Sequence, residues 1–201
     1  MKSNPIPRLF IACTDTIVRQ VDDIGRMVDE FSAFARMPSP VLMEHDIVQL
    51  CRQAVFMHNT GRSDIVFEQD LPAEPVIAVC DGRQIAQALT NILKNATEAV
   101  ESRMASENAA QQTGHVILKL DADQDKARIT VADNGRGLPI EDRHRLTEPY
   151  VTTRSKGTGL GLAIVKKIME DHHGSLELDD RAGGGAVVTL TLQRQSQIQA
   201  A

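Results

Sequence analysis

Two prolines one residue apart, Pro38 and Pro40, divide this chain into parts that cannot fold by the same rule. Proline cannot continue a helix and restricts the residue before it, so Met37-Pro38-Ser39-Pro40 ends whatever precedes it. What precedes it is a periodic segment from about Arg8 to Arg36. Ile17, Val21, Ile24, Val28, Phe31 and Ala35 are spaced 4, 3, 4, 3, 4, an a/d seam that extends back through Thr14 to Phe10. Charged residues (Arg19, Asp22, Asp23, Arg26, Asp29, Glu30) fill the other faces. One helix cannot bury such a seam alone. The pattern predicts a partner helix or a dimer mate, with packing on the chain's own domain as the alternative.

Beyond the prolines the period changes repeatedly. Asp46 can N-cap a helix carrying Ile47, Leu50, Cys51, Ala54 and Val55. Ile65–Leu71 and Val76–Cys80 read as short strands, followed by a long helix over about Asp81–Ser102. Arg103–Gly114 is small and polar and reads as a loop. Val116–Leu120 and Ala127–Ala132 alternate like a hairpin. Asp133–Lys156 has little periodicity, and a helix over about Thr158–His172 follows it. Leu176–Leu178 and Ala186–Leu192 read as last strands around Gly183-Gly184-Gly185, and residues 194–201 as a flexible tail. The order predicts one bundle helix and then a mixed α/β domain with helices on one sheet face.

Composition narrows the function. With 201 residues, 42% hydrophobic and 24% charged, the chain can bury a core of its own. A net charge of −5 argues against a nucleic-acid or membrane-surface binder. Aromatics are only 3%, without tryptophan, which argues against base-stacking platforms. Cys13, Cys51 and Cys80 form no CxxC and have no histidine at zinc-ligand spacing, so they read as free thiols of a reducing cytosol. No apolar run approaches the roughly 18 residues that span a bilayer, and no signal peptide is visible.

Three stretches carry chemistry. On the helix Asp81–Ser102, Asn91, Asn95 and Glu98 lie at i, i+4 and i+7 and share a face away from the apolar stripe. Two carboxamides one turn apart can hold a small hard cation whose other ligands are waters and phosphates. A solvated helix face is the plainer alternative. Asp133-Asn134-Gly135-Arg136-Gly137 follows a strand, and its glycines let the backbone approach a ligand closely. A buried carboxylate there could accept from an exocyclic amine; an Asx turn is the alternative. Lys156-Gly157-Thr158-Gly159-Leu160-Gly161-Leu162 opens a helix, where amides and dipole favour phosphate. It is neither a Walker A loop nor a dinucleotide fingerprint, and alone it is a helix cap. The Asp–Gly turn lies 38 residues after Asn95 and the glycine loop 24 residues after Asp133, and together the three suit one nucleotide.

Together they resemble the ATP-binding domain of sensor histidine kinases, within the gyrase, Hsp90, histidine kinase and MutL superfamily. NILKNATEA (Asn91–Ala99) looks like the N box, and DNGRGLP (Asp133–Pro139) like the first glycine box. EPYVTTRSKGTGLGLAIVKKI (Glu148–Ile168) looks like the phenylalanine box running into the second glycine box. Thr16–Pro38 resembles the second helix of the dimerisation and phosphoacceptor hairpin, in wording close to nitrogen-regulation kinases of the NtrY type. The resemblance implies a two-layer α/β sandwich of the Bergerat type: an α+β fold with a mixed sheet and helices on one face. It implies a hairpin helix over 8–37, an ATP-binding domain over 41–193, and ATP and Mg2+ as cofactors. Asn95 matches the magnesium ligand, with Asn91 in support. Asp133 matches the reader of the adenine amine, and Gly135 and Gly137 border its pocket. Gly157, Thr158, Gly159, Leu160 and Gly161 match the phosphate loop, with Lys94 and Lys156 as phosphate partners. Asn91, Asn95 and Lys156 would be the catalytic set, and Arg136–Lys156 the lid.

The family's acceptor histidine should precede Thr16 by several turns. His45, His58, His115, His144, His172 and His173 all follow the hairpin helix, and none stands in an H-E/D-x-x-x-P context. The expectation is therefore a piece cut between the hairpin helices, unable to label itself. Tyr150 stands at the usual lid phenylalanine and Ala186 where many relatives have threonine. His172-His173 reads as a helix end, since neighbours on a helix diverge by about 100°. The implied function is transfer of the ATP γ-phosphoryl group to a histidine and onward to a response-regulator receiver domain. The implied setting is a homodimer joined through the hairpin helix, in the cytoplasmic portion of an inner-membrane sensor. This portion would touch neither membrane nor nucleic acid. A clamp ATPase of the same superfamily, or a non-catalytic ATP-sensing module, is the alternative.

Overall fold

The computed structural model describes residues 34–60, 64–106, 113–139, 143–152 and 157–194, with scattered positions of a helix between 14 and 32. That helix is α1. Its Ile17, Val18, Val21, Ile24 and Val28 are each more than half exposed, so the seam is not buried on the chain's own domain. Among the described residues of this stretch, Phe34 and, just past the helix, Met37 pack against the core.

The linker after α1 is clasped to the domain. Gln84 Nε2 donates to the carbonyl of Pro38 at 2.9 Å, and the amide of Val41 donates to Asp81 Oδ2 at 3.0 Å. β1 (Met43–Asp46) follows, a strand the sequence pattern did not predict. It pairs antiparallel with β3 (Ile77–Cys80) in a small second sheet. Asp46 caps α2 (Ile47–Asn59) through the amide of Val48, as its position predicts, and also accepts from the amide of Val76.

The main sheet has the order β2-β4-β5-β7-β6, comprising β2 (Ile65–Asp70), β4 (Gly114–Ala122), β5 (Lys126–Asp133), β6 (Ser175–Asp180) and β7 (Ala186–Gln193). β2 and β4 are parallel, and every other pairing is antiparallel. Residues of β4 and β5 alternate in burial, with Val116, Leu118, Leu120, Ala127, Ile129 and Val131 turned inward. Over that face lie α2, α3 (Gly82–Met104) and α4 (Gly161–Asp171), which contribute Ile47, Ile85, Leu89, Leu93, Val165 and Ile168 to the core. This is the two-layer mixed fold the sequence order implies.

Most strands differ from the sequence reading by one or two residues at an end, and three boundaries are more telling. α3 continues to Met104, and α4 begins at Gly161 rather than Thr158, because Gly159 adopts a φ of +71° that no helix admits. Arg194, read as tail, is anchored: its amide donates to Asp125 and its guanidinium to the carbonyls of Ile77 and Asp123. Residues 195–201 lie outside the described residues. Cys51 and Cys80 are buried free thiols. Burial first, then Asp46 and Asp81 respectively, pushes them up to about 12 and about 11.

Candidate functional site

A cavity of about 470 Å³ opens beside the end of β5, bounded by α3, α4 and the segments 136–139, 146–152 and 157–159. Part of its wall is apolar, formed by Ile92, Val131, Ile164, Leu178 and Val188. That lining suits a flat ring system, while the polar groups gather at two ends.

At one end β5 delivers Asp133, only 3% exposed. Its Oδ1 accepts the amide of Gly135 at 2.7 Å, the Asx turn that the Asp-Asn-Gly order favours. The turn therefore serves to fix the carboxylate, as the Asx-turn reading of this motif expects. Gly137, with φ +78°, lines the cavity as expected. Gly135 does not. It packs against α3, where an added side-chain carbon would lie 2.6 Å from the carbonyl carbon of Ala99.

Further back along α3, Asn91, Lys94 and Asn95 line the cavity, with Glu98 next to the Ala99 that packs on Gly135. Nδ2 of Asn91 is buried and has no hydrogen-bond partner, a donor that an anionic oxygen would satisfy. Asn95 faces the start of α4: a carbon added to Gly161 would lie 3.7 Å from its Nδ2 and 3.9 Å from its Oδ1. The N-terminus of α4 carries no side-chain cap, since Leu160 holds the capping position. A helix start without a cap from its capping residue has the geometry that favours phosphate. Gly157, Thr158, Gly159 and Gly161 line the cavity. Leu160 does not; it is fully buried in the core. Lys156 lies outside the described residues.

Among the described residues no cluster of three His, Cys, Asp or Glu side chains could hold a metal ion. The donors here are carboxamide oxygens and amides. A cation held by so few protein ligands must bring others with it, as magnesium does with phosphates. His172-His173 is a helix end: His172 Nε2 accepts from the amide of Asp81, and its Nδ1 contacts the carbonyl of Ile168.

Sequence reasoning missed several lining residues. Val131, Leu178 and Val188 read simply as strand core. Gln20 and Ile24 of α1 also line the cavity, and the ring of Phe31 stands 6.2 Å from that of Tyr150. Nothing in a heptad seam signals such contacts. Gly159 is required for a further reason: a side-chain carbon on it would lie 2.6 Å from the carbonyl carbon of Tyr150, whose amide donates to Gly159 O at 3.1 Å.

Comparison with known proteins accords with this geometry. Residues 80–196 match the family model "Histidine kinase-, DNA gyrase B-, and HSP90-like ATPase". The chain is 52% identical over 189 residues to the nitrogen regulation protein NtrY of Azorhizobium caulinodans, covering 93% of this chain and 24% of that protein. It thus spans about a quarter of the length of that relative. Full-length ShkA, solved in complex with AMPPNP, shares the fold with a TM-score of 0.70 and 25% identity, over 98% of this chain and 41% of that one. The histidine kinase ThkA, solved in complex with the response regulator TrrA, shares it with a TM-score of 0.71 and 22% identity, over 90% and 50%. No helix among the described residues is long and apolar enough to cross a membrane. The chain belongs to the histidine kinase, gyrase B and HSP90-like ATPase family, and within it is the ATP-binding catalytic domain of an NtrY-like sensor histidine kinase.

Proposed function

We propose that this chain binds ATP with one magnesium ion and presents the γ-phosphoryl group to a histidine on another helix, for onward transfer to a response-regulator receiver domain. In this reading residues 8–37 are the second helix of a dimerisation hairpin and 41–193 the nucleotide-binding unit. Asp133 accepts from the adenine amine, and the apolar wall holds the ring. Asn95 ligates magnesium, and the amides of Gly157–Gly161, with Asn91, Lys94 and Lys156, meet the phosphates. The observation that carries the reading is the pairing of two unlike ends in one cavity. A buried carboxylate stands at one, and at the other Asn95 meets an uncapped helix N-terminus.

Phosphoryl transfer is mostly positioning and charge stabilisation, and both are properties of such a site. Magnesium, when bound, neutralises charge between the phosphates. Water is a poor nucleophile here, because superfamily ATPases place a glutamate base where Asn91 stands, and an amide takes no proton. The chain should therefore bind nucleotide, hydrolyse it slowly and leave itself unlabelled. The apolar seam of α1 favours a paired helix in the whole protein.

The test is titration with a fluorescent ATP analogue with and without magnesium, then incubation with an intact phosphoacceptor domain and radiolabelled ATP. Magnesium-dependent binding and labelling of the added domain alone are expected. A folded chain that ignores adenine nucleotides, or hydrolyses ATP steadily without labelling the acceptor, would overturn the reading in favour of a clamp ATPase or a binding module.

A further inference from the structure

The turn that carries Asp133 is held between two glycines that do not line the cavity. On one side is Gly135, pressed against α3, where the amide of Arg136 donates to the carbonyl of Ala99 at 3.3 Å. On the other is Gly185, the last residue of the loop joining β6 to β7. We propose that Gly185 is a positioning residue for Asp133, and through it determines the preference for adenine. This rests on the nucleotide reading above and adds a residue outside the cavity to its specificity.

The geometry is close. Gly185 has φ +102°, and a side-chain carbon built on it would lie 1.9 Å from the carbonyl oxygen of Asp133 and 2.9 Å from Asn134 Cα. Both neighbours are backbone, so neither can swing aside as a side chain would. Nor can the turn retreat towards β4. The amide of Asn134 donates to the carbonyl of His115, its Oδ1 accepts the amide of His115 at 2.8 Å, and its Nδ2 donates to Thr113 at 3.0 Å. A side chain at 185 must therefore rotate the peptide between Asp133 and Asn134, and the Asp133 carboxylate moves with it. The Oδ1–Gly135 bond that holds the carboxylate belongs to the same turn. Gly137, at the far end of the turn, also rests on this loop: a carbon on it would lie 3.3 Å from Gly185 O.

An acceptor for an exocyclic amine works only within hydrogen-bond distance, so a shift of about an ångström removes it. The phosphate end is built by Asn95 and the start of α4, whereas the atoms nearest to a carbon added at Gly185 all belong to Asp133 and Asn134. Substitution at Gly185 should thus weaken base recognition and spare phosphate recognition.

The experiment compares the whole chain with Gly185→Ala and Gly184→Ala. Gly184 has the same strained backbone, φ +101°, but nothing within 4 Å of an added carbon, so it carries the strain without the wedge. Affinities are measured by calorimetry for ATP, GTP and magnesium tripolyphosphate. Gly185→Ala is expected to weaken ATP about tenfold to a hundredfold, the loss typical of an unmet buried polar group, and to narrow the ATP-to-GTP ratio. Its tripolyphosphate affinity, and the ATP affinity of Gly184→Ala, should stay at wild-type values. Equal ATP losses in the two variants, an unchanged ATP affinity in Gly185→Ala, or a parallel loss of tripolyphosphate would each overturn the proposal. Should Gly185→Ala fail to fold, Gly185→Asn keeps the wedge in the residue most tolerant of positive φ, and the same outcomes decide. A wild-type chain that binds no ATP would strike the nucleotide reading itself and is seen before any variant is made.

Discussion

The backbone amide of Asp81 donates a 2.9 Å hydrogen bond to Nε2 of His172, 91 residues further along the chain. Nδ1 of the same ring lies 2.7 Å from the carbonyl of Ile168, so the imidazole carries its proton on Nδ1 and accepts at Nε2. The ring joins the C-terminus of α4 to the N-terminus of α3, the two helices that meet again at Asn95 and Gly161. It is 6% exposed. His172→Ala would leave a cavity and strip the Asp81 amide of its partner. The expected loss is about 2–4 kcal/mol, read as a lower urea midpoint with an unchanged slope. A loss below about 1 kcal/mol, the level of an ordinary surface change, would show that the link is dispensable.

Asp81 makes folding sensitive to acid. Burial alone would raise its carboxyl, but the amide of Val41, the Arg83 guanidinium and the amides of Gln84 and Arg83 outweigh it and hold the group down at about 2. The ordinary value is 3.8, so the folded state favours the ionised form. That stability is fully present above about pH 5 and lost as the pH falls through 3.8 towards 2, and it amounts to about 2 kcal/mol. Asp81→Asn, which can still cap α3, should differ from wild type most at pH 7 and least near pH 2. Urea denaturation across that range checks it; a gap that does not change with pH would refute it.

Much of this was legible in the sequence, for reasons that differ by residue. Asn91 and Asn95 declare themselves because amides one turn apart on an amphipathic helix have no packing purpose. Asp133 does so because an acidic residue ending an apolar strand must be satisfied there. For Gly135 and Leu160 the motif does not say which side of the backbone packs on the protein. Gly135 serves α3 and Leu160 the core. The apolar wall was invisible because Val131 and Val188 alternate as any core strand residue does. β1 was missed because Met-Glu-His-Asp has no apolar alternation, and its pairing with β3 comes from tertiary context.

His173 is a built-in weakness. The amide of Gly174 donates to Met169 O and that of His173 to Glu170 O, the Schellman arrangement that ends a helix with a left-handed residue. His173 takes that place with φ +52°. His173→Gly should raise stability by about 0.5–1 kcal/mol, the strain relieved less the entropy a glycine adds to the unfolded chain. Gly174→Ala should do the reverse, because its added carbon would lie 2.4 Å from Thr191 O and 2.6 Å from the methyl of Met169. Thermal unfolding of the two variants should thus move in opposite directions from wild type. Destabilisation by His173→Gly would mean that the imidazole makes a contact worth more than the strain.

Asn95 separates the roles of metal and nucleotide. Its carboxamide sits against the start of α4, where a phosphate oxygen and the metal it carries would meet. If Asn95 acts through magnesium, Asn95→Ala should cost ATP affinity about tenfold or more with magnesium and little in EDTA. Asn91→Ala removes a buried donor that no protein group satisfies, so its effect should persist in EDTA. If Asp133 acts at the base, Asp133→Asn should weaken ATP in either condition but leave tripolyphosphate binding intact. The three titrations form one set. The metal-dependent loss should belong to Asn95, the metal-independent phosphate loss to Asn91, and the base-specific loss to Asp133. An Asn95→Ala variant equally weakened with and without magnesium would place the ion elsewhere in the cavity and leave Asn95 as a direct phosphate contact.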